Sequence, residues 1–574
     1  MTFRLTLAAA QPRSATGERS AVRRWLPLTV VFLVAAAISV SYLGAGLWAT
    51  DTWRGNVGDA EQFMWFLSSV PHALTHGHNP LLSNYELYPQ GVNLMWNTSV
   101  VLAGVLVSPV TALAGPVFSY NLLLVLGPIA TACTAYWAFR RYVDSPVAAG
   151  IGGLAFAYSP FLLVHSSGHL HLVLLALMPV MLVLVDELLV RQRRRSWLTG
   201  GLIGVVAACQ LLTSEEMLAI EAMVGGLALV VLCLLHPHAV RSRVGYVVRA
   251  AVCAVVTFAL LACYPLYIQL FGPQKAPGAH GPSTYSTDLL NLIWPVNQWL
   301  DLGAGTPTFT GNASEWTGYL GIPLIVLLIG VTVRFWRRRP LVPVAAILIV
   351  VLVVLSFGPH LHVAGRTTAI PLPWAVAERL PLLENLLPGR ISVAIGLLAA
   401  LLLAVFLDDL VLQRGWRRLA GAAVVAVIAL SWVPGGLRTT TIPTPAFFTS
   451  SAQTRLPAGS VALIVPFTDS PLNEQAVLWQ ANGGMRIRIV NGWVIVPGGH
   501  WGGPNAISRA LDDADAISVT PQLRASIFAD LRRLRVDTII VGPSSKRASE
   551  ISLLTRVFDR PPTVARDVVL WTLP

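Results

Sequence analysis

Apolar residues gather along this chain in runs of about twenty, the length that crosses a bilayer as a helix. Runs near 25–48, 118–139, 146–164, 170–190, 198–213, 217–236, 249–271, 318–335, 341–357, 391–408 and 418–435 predict eleven spans. Arginine clusters between the runs test the register. Arg140–Arg141, "RQRRR" at 191–195, "RSR" at 241–243, "RRR" at 337–339 and "RGWRR" at 414–418 must share the cytoplasmic side, and with eleven spans they do. This order places the N-terminus inside and the C-terminus outside. The stretch "TSVVLAGVLVSPVTALA" at 98–114 is apolar enough to be another span. Counting it would move the clusters outside, so it is read as a helix lying in or against the outer leaflet.

Three long stretches then face outward, 49–117, 272–317 and 358–390, followed by a tail from about 436. The tail has a different pattern. "SVALIVPF" (460–467), "VDTIIVG" (536–542) and "VVLWTL" (568–573) read as strands, and "PQLRASIFADLRRLR" (521–535) as a helix, the signature of a small α/β unit. The predicted fold is therefore mainly α: a cytoplasmic segment 1–24, a polytopic helical bundle 25–435 and an extracytoplasmic α/β domain 436–574.

Composition agrees with a membrane protein and narrows the function. Of 574 residues, 55% are hydrophobic and only 12% charged, as expected of a polytopic chain. The net charge of +12 comes from basic clusters between apolar runs, which argues for orientation in a membrane rather than nucleic-acid binding. All five cysteines fall inside apolar runs and read as small core residues, not disulfide partners. The sequence shows no internal repeat, Gly-rich phosphate loop, Cys/His zinc spacing or serine nucleophile elbow.

The first outer stretch carries the leading chemical candidate. In "GDAEQFMWFLSSV" (58–70), Phe63, Phe66, Leu67 and Val70 follow helical spacing, so an amphipathic helix is expected at the membrane surface. Asp59 reads as its N-cap, with Gln62 completing a capping box. Such a helix also holds the Asp59 carboxylate at the rim of a membrane cavity, where it can take a proton from an attacking hydroxyl. An inverting displacement of a lipid-held sugar needs one such base and no covalent nucleophile.

A long first outer loop opening with an acidic residue and a surface helix, an apolar outer-leaflet segment before the second span, and an extracytoplasmic C-terminal domain together resemble the GT-C superfamily. These are integral membrane glycosyltransferases, among them the aminoarabinose transferases acting on lipid A and the protein mannosyltransferases, and their donors are polyprenyl-phosphate sugars. The resemblance covers residues 25–435 and implies Asp59 as catalytic base. The protein mannosyltransferases usually carry two adjacent acids here; in this chain Ala60 separates Asp59 from Glu61, which makes Glu61 the second candidate.

Other polar residues near the outer face complete the expected site. "HSSGHLHL" (165–172) lies in a turn between two spans, where His165, His169 and His171 suit phosphate binding, proton relay or a metal ion. Glu215 and Glu216, between apolar runs, suit acceptor hydroxyls or a divalent cation. Glu315 stands at the mouth of the following span. Arg390, at the outer start of the tenth span, suits the departing polyprenyl phosphate. Trp294, Trp299 and Trp316 are candidates for stacking on sugars, or for anchoring in headgroups. The expected partners are a polyprenyl-phosphate sugar and an envelope glycan, lipid or protein acceptor. A transporter or flippase of lipid-linked sugars, or a non-catalytic scaffold, is the alternative.

Overall fold

The structure, a computed structural model, describes residues 21–276, 281, 283–296, 308–380, 383–467, 475–497, 499–500 and 505–573. Trp299 and part of the 285–303 segment lie outside the described residues. Helices occupy the stretches where apolar runs predict spans: α1 (Ala21–Leu43), the second part of α3 (Val101–Phe139), α4 (Pro146–Ala157) with α5 (Pro160–His165), α6 (Leu177–Asp186), α7 (Ser196–Leu211), α8 (Glu215–Leu235), α9 (Val244–Phe271), α10 (Ile322–Phe335), α11 (Leu341–Ser356), α12 (Ser392–Leu412) and α13 (Trp416–Ser431). Among the described residues, six helical stretches are long and apolar enough to cross a membrane: those at 25–43, 101–139, 146–165, 215–235, 244–271 and 388–412. α7, α10 and α11 are apolar but shorter.

Local chemistry explains where the helices start and meet. Ser145 accepts the Ala148 amide and Pro146 follows it, which opens α4; Ser214 accepts the Met217 amide at the start of α8. α7 and α9 approach until a Cβ on Gly200 or Gly204 would collide with the Ala250 or Ala254 carbonyl, the close crossing that glycine permits in a bilayer. α12 is buried along almost its whole length and forms the bundle axis. In α3, Gly115 at φ 85° separates the 101–114 helix from the span that follows it. Leu106 and Leu113 on that first segment are strongly exposed, the face that a leaflet would cover.

The helix α2 (Asp59–Thr75) differs from expectation. Instead of floating on a membrane surface with one polar face, it is buried from Ala60 through Val70. The bundle covers one side, and the tail covers the other through α14 (Gln475–Asn482). Trp65 donates its indole N–H to the Gln480 side chain at 2.6 Å, and the Ser68 hydroxyl reaches the Ala481 carbonyl at 3.2 Å. Gln62 is not part of a capping box: it donates to Glu86 at 3.0 Å, which in turn accepts the Trp493 amide at 2.9 Å. Protein partners take up the Gln62 amide, the Trp65 indole and the Ser68 hydroxyl in this buried helix, and each such bond is costly to remove.

The tail is tied to the first loop and carries a five-stranded sheet. β1 (Thr52–Arg54) pairs antiparallel with β2 (Thr439–Thr441). The sheet is built from β3 (Val461–Val465), β4 (Arg488–Ile489), β5 (Thr538–Val541), β6 (Thr563–Ala565) and β7 (Val568–Thr572), in the spatial order β6-β7-β5-β3-β4. β3 runs parallel to β4 and β5, whereas β7 runs antiparallel to β5 and β6. Side chains alternate between two faces. Leu463, Val465, Ile539 and Val541 pack on α15 (Pro521–Arg533) and α16 (Arg547–Phe558) in a core of their own. Ala462, Ile464, Ile540 and Leu570 belong to the core continuous with the bundle.

Candidate functional site

The site forms where the strap 53–58 passes the turn 166–168. Gly55, at φ 127°, lies so close that any Cβ would strike the Ser167 carbonyl, and the Asn56 amide donates to that carbonyl at 2.8 Å. Gly58, at φ 116°, then turns the chain into α2. Asp59 is therefore the first residue of the helix rather than its cap. The capping group is Glu61, whose Oε2 accepts the Gly58 amide at 2.8 Å. A carboxylate reaching back to the amide of the residue before the helix satisfies an orphan donor.

This geometry presses the histidine turn against the start of α2. Asp59 Oδ2 lies 2.9 Å from His169 Nε2, and His169 Nδ1 lies 3.0 Å from His165 Nδ1. One of those two nitrogens donates to the other. His165 Nε2 is buried with no hydrogen-bond partner. Glu315 Oε1 is 3.8 Å from His169 Nε2. Arg390 joins the row from the turn just before the bundle axis α12. Its Nε and Nη2 grip Glu315 at 3.0 and 2.5 Å, and its Nη1 meets Glu216 Oε2 at 2.5 Å. Glu216 Oε1 also accepts the Leu387 amide at 3.0 Å.

Asp59, His169, Glu315, Arg390 and Glu216 thus form one row of alternating charge, and its members differ in access. The His169, Glu315, Arg390 and Glu216 side chains are 6–12% exposed, whereas Asp59 is 45% exposed. Withdrawal from water opposes the Asp59 charge, but the bond to His169 and the nearby cations outweigh it and hold the carboxyl below the usual aspartate range. For His169, burial works against protonation, and the Asp59 bond with the Glu315 charge more than offsets this and raises its pKa. Both shifts favour the charged forms, so each member stabilises the other as one half of an ion pair, with the anion at the open end.

The remaining expected residues take other places. Glu61 is fully buried, and burial pushes its carboxyl up to about 8; it holds the helix start and faces Gly58, not the open side. His171 stacks on Phe63, with ring centroids 5.3 Å apart, and its ring lies 6.1 Å from that of His169. Glu215 bonds to the Thr98 side chain and does not reach Arg390. The histidine stretch is not a solvated turn, since His165 and His171 are buried. The Trp316 indole donates to the Thr310 carbonyl at 2.9 Å. One positioning feature escaped the sequence reading, the Gly55–Gly58 strap; His165, read there with His169 and His171, is the inner neighbour of His169 at an i, i+4 spacing.

One arrangement fits a divalent cation. Single ligand atoms of His165, His169 and Glu315 lie within 4.8 Å of one another. A two-imidazole, one-carboxylate set suits zinc or manganese better than magnesium.

Comparison with known proteins bears on the fold. The arabinofuranosyltransferase AftD from Mycobacteria is similar with a TM-score of 0.53 at 16% identity, over 96% of this chain and 40% of that one. At that identity the likeness is one of fold, and this chain spans less than half the length of AftD. Weaker matches are ArnT from Cupriavidus metallidurans bound to undecaprenyl phosphate (TM-score 0.47, 13% identity, 96% of this chain and 98% of that one) and the oligosaccharyltransferase AglB from Archaeoglobus fulgidus in complex with an inhibitory peptide and a dolichol-phosphate (TM-score 0.46, 15% identity, 93% and 72%). These structural neighbours are GT-C glycosyltransferases. No curated protein matches by sequence. The family model described as a domain of unknown function, DUF6311, matches residues 49–383, which hold Asp59, His169, Glu216 and Glu315, and the chain belongs to that family.

Proposed function

We propose that this protein is a GT-C-type membrane glycosyltransferase that moves a sugar from a polyprenyl-phosphate donor to an extracytoplasmic acceptor with inversion. The observation that carries the proposal is the Asp59–His169 ion pair, seated at the end of a buried charge row and open only at Asp59. Eleven spans, with the C-terminal α/β unit as an outer domain over α2, complete the proposed architecture.

In this reading the acceptor hydroxyl approaches the open side of Asp59. Oδ2 is committed to His169, and Oδ1 is left to accept the hydroxyl proton as the new C–O bond forms. A carboxyl held below the usual range is a weak base. It acts chiefly by orienting the hydroxyl and taking its proton late, which suits a displacement with oxocarbenium character. Three of the five guanidinium N–H groups of Arg390 are used by Glu216 and Glu315, so two remain for the oxygens of the departing phosphate. With His169 neutral and the ion pair given up, His165, His169 and Glu315 are the residues that would hold a divalent cation, which would supply positive charge near the leaving phosphate. Glu61 keeps the start of α2 in place, and Glu215 and His171 support the walls.

The test is mass spectrometry of envelope glycans and glycolipids from a strain lacking the protein, complemented with wild type or with Asp59→Asn. Loss of one sugar, restored by wild type alone, supports transfer and names the donor. Equal restoration by Asp59→Asn removes Asp59 from the chemistry and favours transport of a lipid-linked sugar.

A further inference from the structure

A second cavity lies at the other end of the bundle. It measures about 810 Å³ and opens between α6, α8, α11 and α12, with residues 140–144, 191–194 and 236–243 around its mouth. On the bundle axis Arg390 stands before the first turn, whereas Asp408, which binds an arginine at the cavity mouth, lies near the last. Eighteen residues of helix separate the two ends by ~27 Å. The arginine clusters of the sequence put this mouth in the inner leaflet.

Seven arginines line the cavity against three carboxylates. Four of the seven are already engaged. Arg191 binds Asp186 at 2.6 Å and the Arg141 carbonyl at 2.7 Å, and Arg141 faces Glu187 at 3.6 Å. Arg339 meets Asp408 at 3.2 Å, and Arg140 donates to the Val143 and Asp144 carbonyls at 2.7 and 2.5 Å. Arg193, Arg194 and Arg243 have no carboxylate within ion-pair range among the described residues. The backbone that carries Arg193 and Arg194 is held in place. Glu187 Oε1 accepts the backbone amides of both Arg193 and Arg194, at 2.5 and 2.7 Å, and Arg243 Nη1 reaches only the Ala239 carbonyl, at 3.4 Å.

Deeper in, the lining is aliphatic: Leu348 on α11 and Leu398, Leu401 and Val405 on α12. Leu398 lies fourteen residues before the end of α12, so the apolar wall extends ~21 Å from that end. The preference for arginine on the inner side accounts for cations at helix ends. It does not account for an aliphatic cavity opening beneath them. Water gains little from an apolar cavity, whereas an acyl chain fills it, and uncommitted guanidinium groups above it match a phosphate.

We propose that this cavity binds an anionic glycerophospholipid of the inner leaflet, with Arg193, Arg194 and Arg243 on the phosphate and an acyl chain along Leu348, Leu398, Leu401 and Val405. The proposal is independent of the function assigned to the Asp59 site.

Native mass spectrometry of the full-length protein, delipidated in detergent and titrated with phosphatidylglycerol, phosphatidylcholine or inorganic phosphate, tests it. The expected result is one retained phosphatidylglycerol at a concentration at least tenfold below that needed for phosphatidylcholine. The Arg193→Gln/Arg194→Gln/Arg243→Gln variant should lose at least tenfold. Should the triple variant fail to fold, the single Arg193→Gln and Arg194→Gln variants, which leave every ion pair in place, should each lose about threefold. Equal retention of the two lipids, or undiminished phosphatidylglycerol binding in the arginine variants, overturns the proposal. Displacement of the lipid by millimolar inorganic phosphate overturns the acyl-chain part and makes the site one for free phosphate.

Discussion

Replacing Asp59 by Asn separates chemistry from architecture at this site. The carboxylate is 45% exposed and its one strong partner is His169 at 2.9 Å. A half-exposed ion pair contributes only about 1 kcal/mol to stability, and an anion in the first turn of α2 adds ~0.3–1 kcal/mol through the helix dipole. Asn keeps the size and retains an oxygen that can accept from His169. The folded chain should therefore lose at most about 2 kcal/mol, with unchanged membrane levels and a small shift in thermal aggregation. A missing general base costs about 10²–10⁴-fold in rate, or ~3–5 kcal/mol of barrier. The assay is complementation of a deletion strain, with the affected envelope sugar quantified by mass spectrometry and the protein by immunoblot. Restoration of more than about a third of the wild-type sugar under limiting expression would refute the base assignment. Loss of the protein itself would refute the energetic argument, because it would mean that Asp59 holds the fold.

Other predictions follow from the same geometry. Arg390→Gln strands Glu216 and Glu315 without their shared countercharge and should destabilise by about 3–5 kcal/mol; adding Glu216→Gln should recover part of the loss in a thermal-aggregation assay, and no recovery would mean that the two do not act as a pair. Gly55→Ala, whose Cβ would strike the Ser167 carbonyl at φ 127°, should move the histidine turn off Asp59 and abolish complementation while leaving membrane levels within about twofold, by a strain of ~1–3 kcal/mol. The Asp59–His169 pair has a defined pH window. The lowered Asp59 value contributes stability above its ordinary 3.8 that disappears as pH falls through the folded value, and the raised His169 value contributes below 6.5 and disappears as pH rises through its folded value. The stability difference between wild type and Asp59→Asn should thus be largest from about pH 4 to about pH 6.5, and a difference that grows towards alkaline pH would contradict the pairing. If His165, His169 and Glu315 hold zinc or manganese, elemental analysis of purified protein should find one ion that His165→Ala removes.

Much of the scaffold was legible because it rests on local pattern. The strand read at 460–467 is observed at Val461–Val465, and the helix read at 521–535 at Pro521–Arg533; a short continuous apolar run and a Thr-Pro start suffice for the two. The surface helix shows the limit. Phe63, Phe66, Leu67 and Val70 declare one apolar face, but Gln62, Ser68 and Ser69 look equally ready for headgroups or for protein. Only Glu86 and Ala481, brought in by folding, decide that Gln62 and Ser68 are buried in protein. The charge row is harder still, since Arg390 finds Glu216 across 174 residues and Glu315 across 75. Nothing in the local sequence of any member names its partner.

The charge balance of that row constrains the proposed chemistry more than any single residue does. Arg390 alone faces two buried carboxylates, and in the interior such an excess of negative charge is tolerated only with a further cation. His169, with its pKa raised, supplies one positive charge, which Asp59 then competes for from the open side. In the proposed mechanism, a ligand that neutralises Asp59, whether by hydrogen bonding to its free oxygen or by placing a cation beside it, would shift His169 towards Glu315, 3.8 Å away. Occupancy at the open end would in this way be transmitted along the row to Arg390, where the proposed leaving phosphate is received. Acceptor binding and donor binding should therefore be coupled, and Glu315→Gln, which breaks the row between them, should weaken that coupling even where each ligand still binds alone.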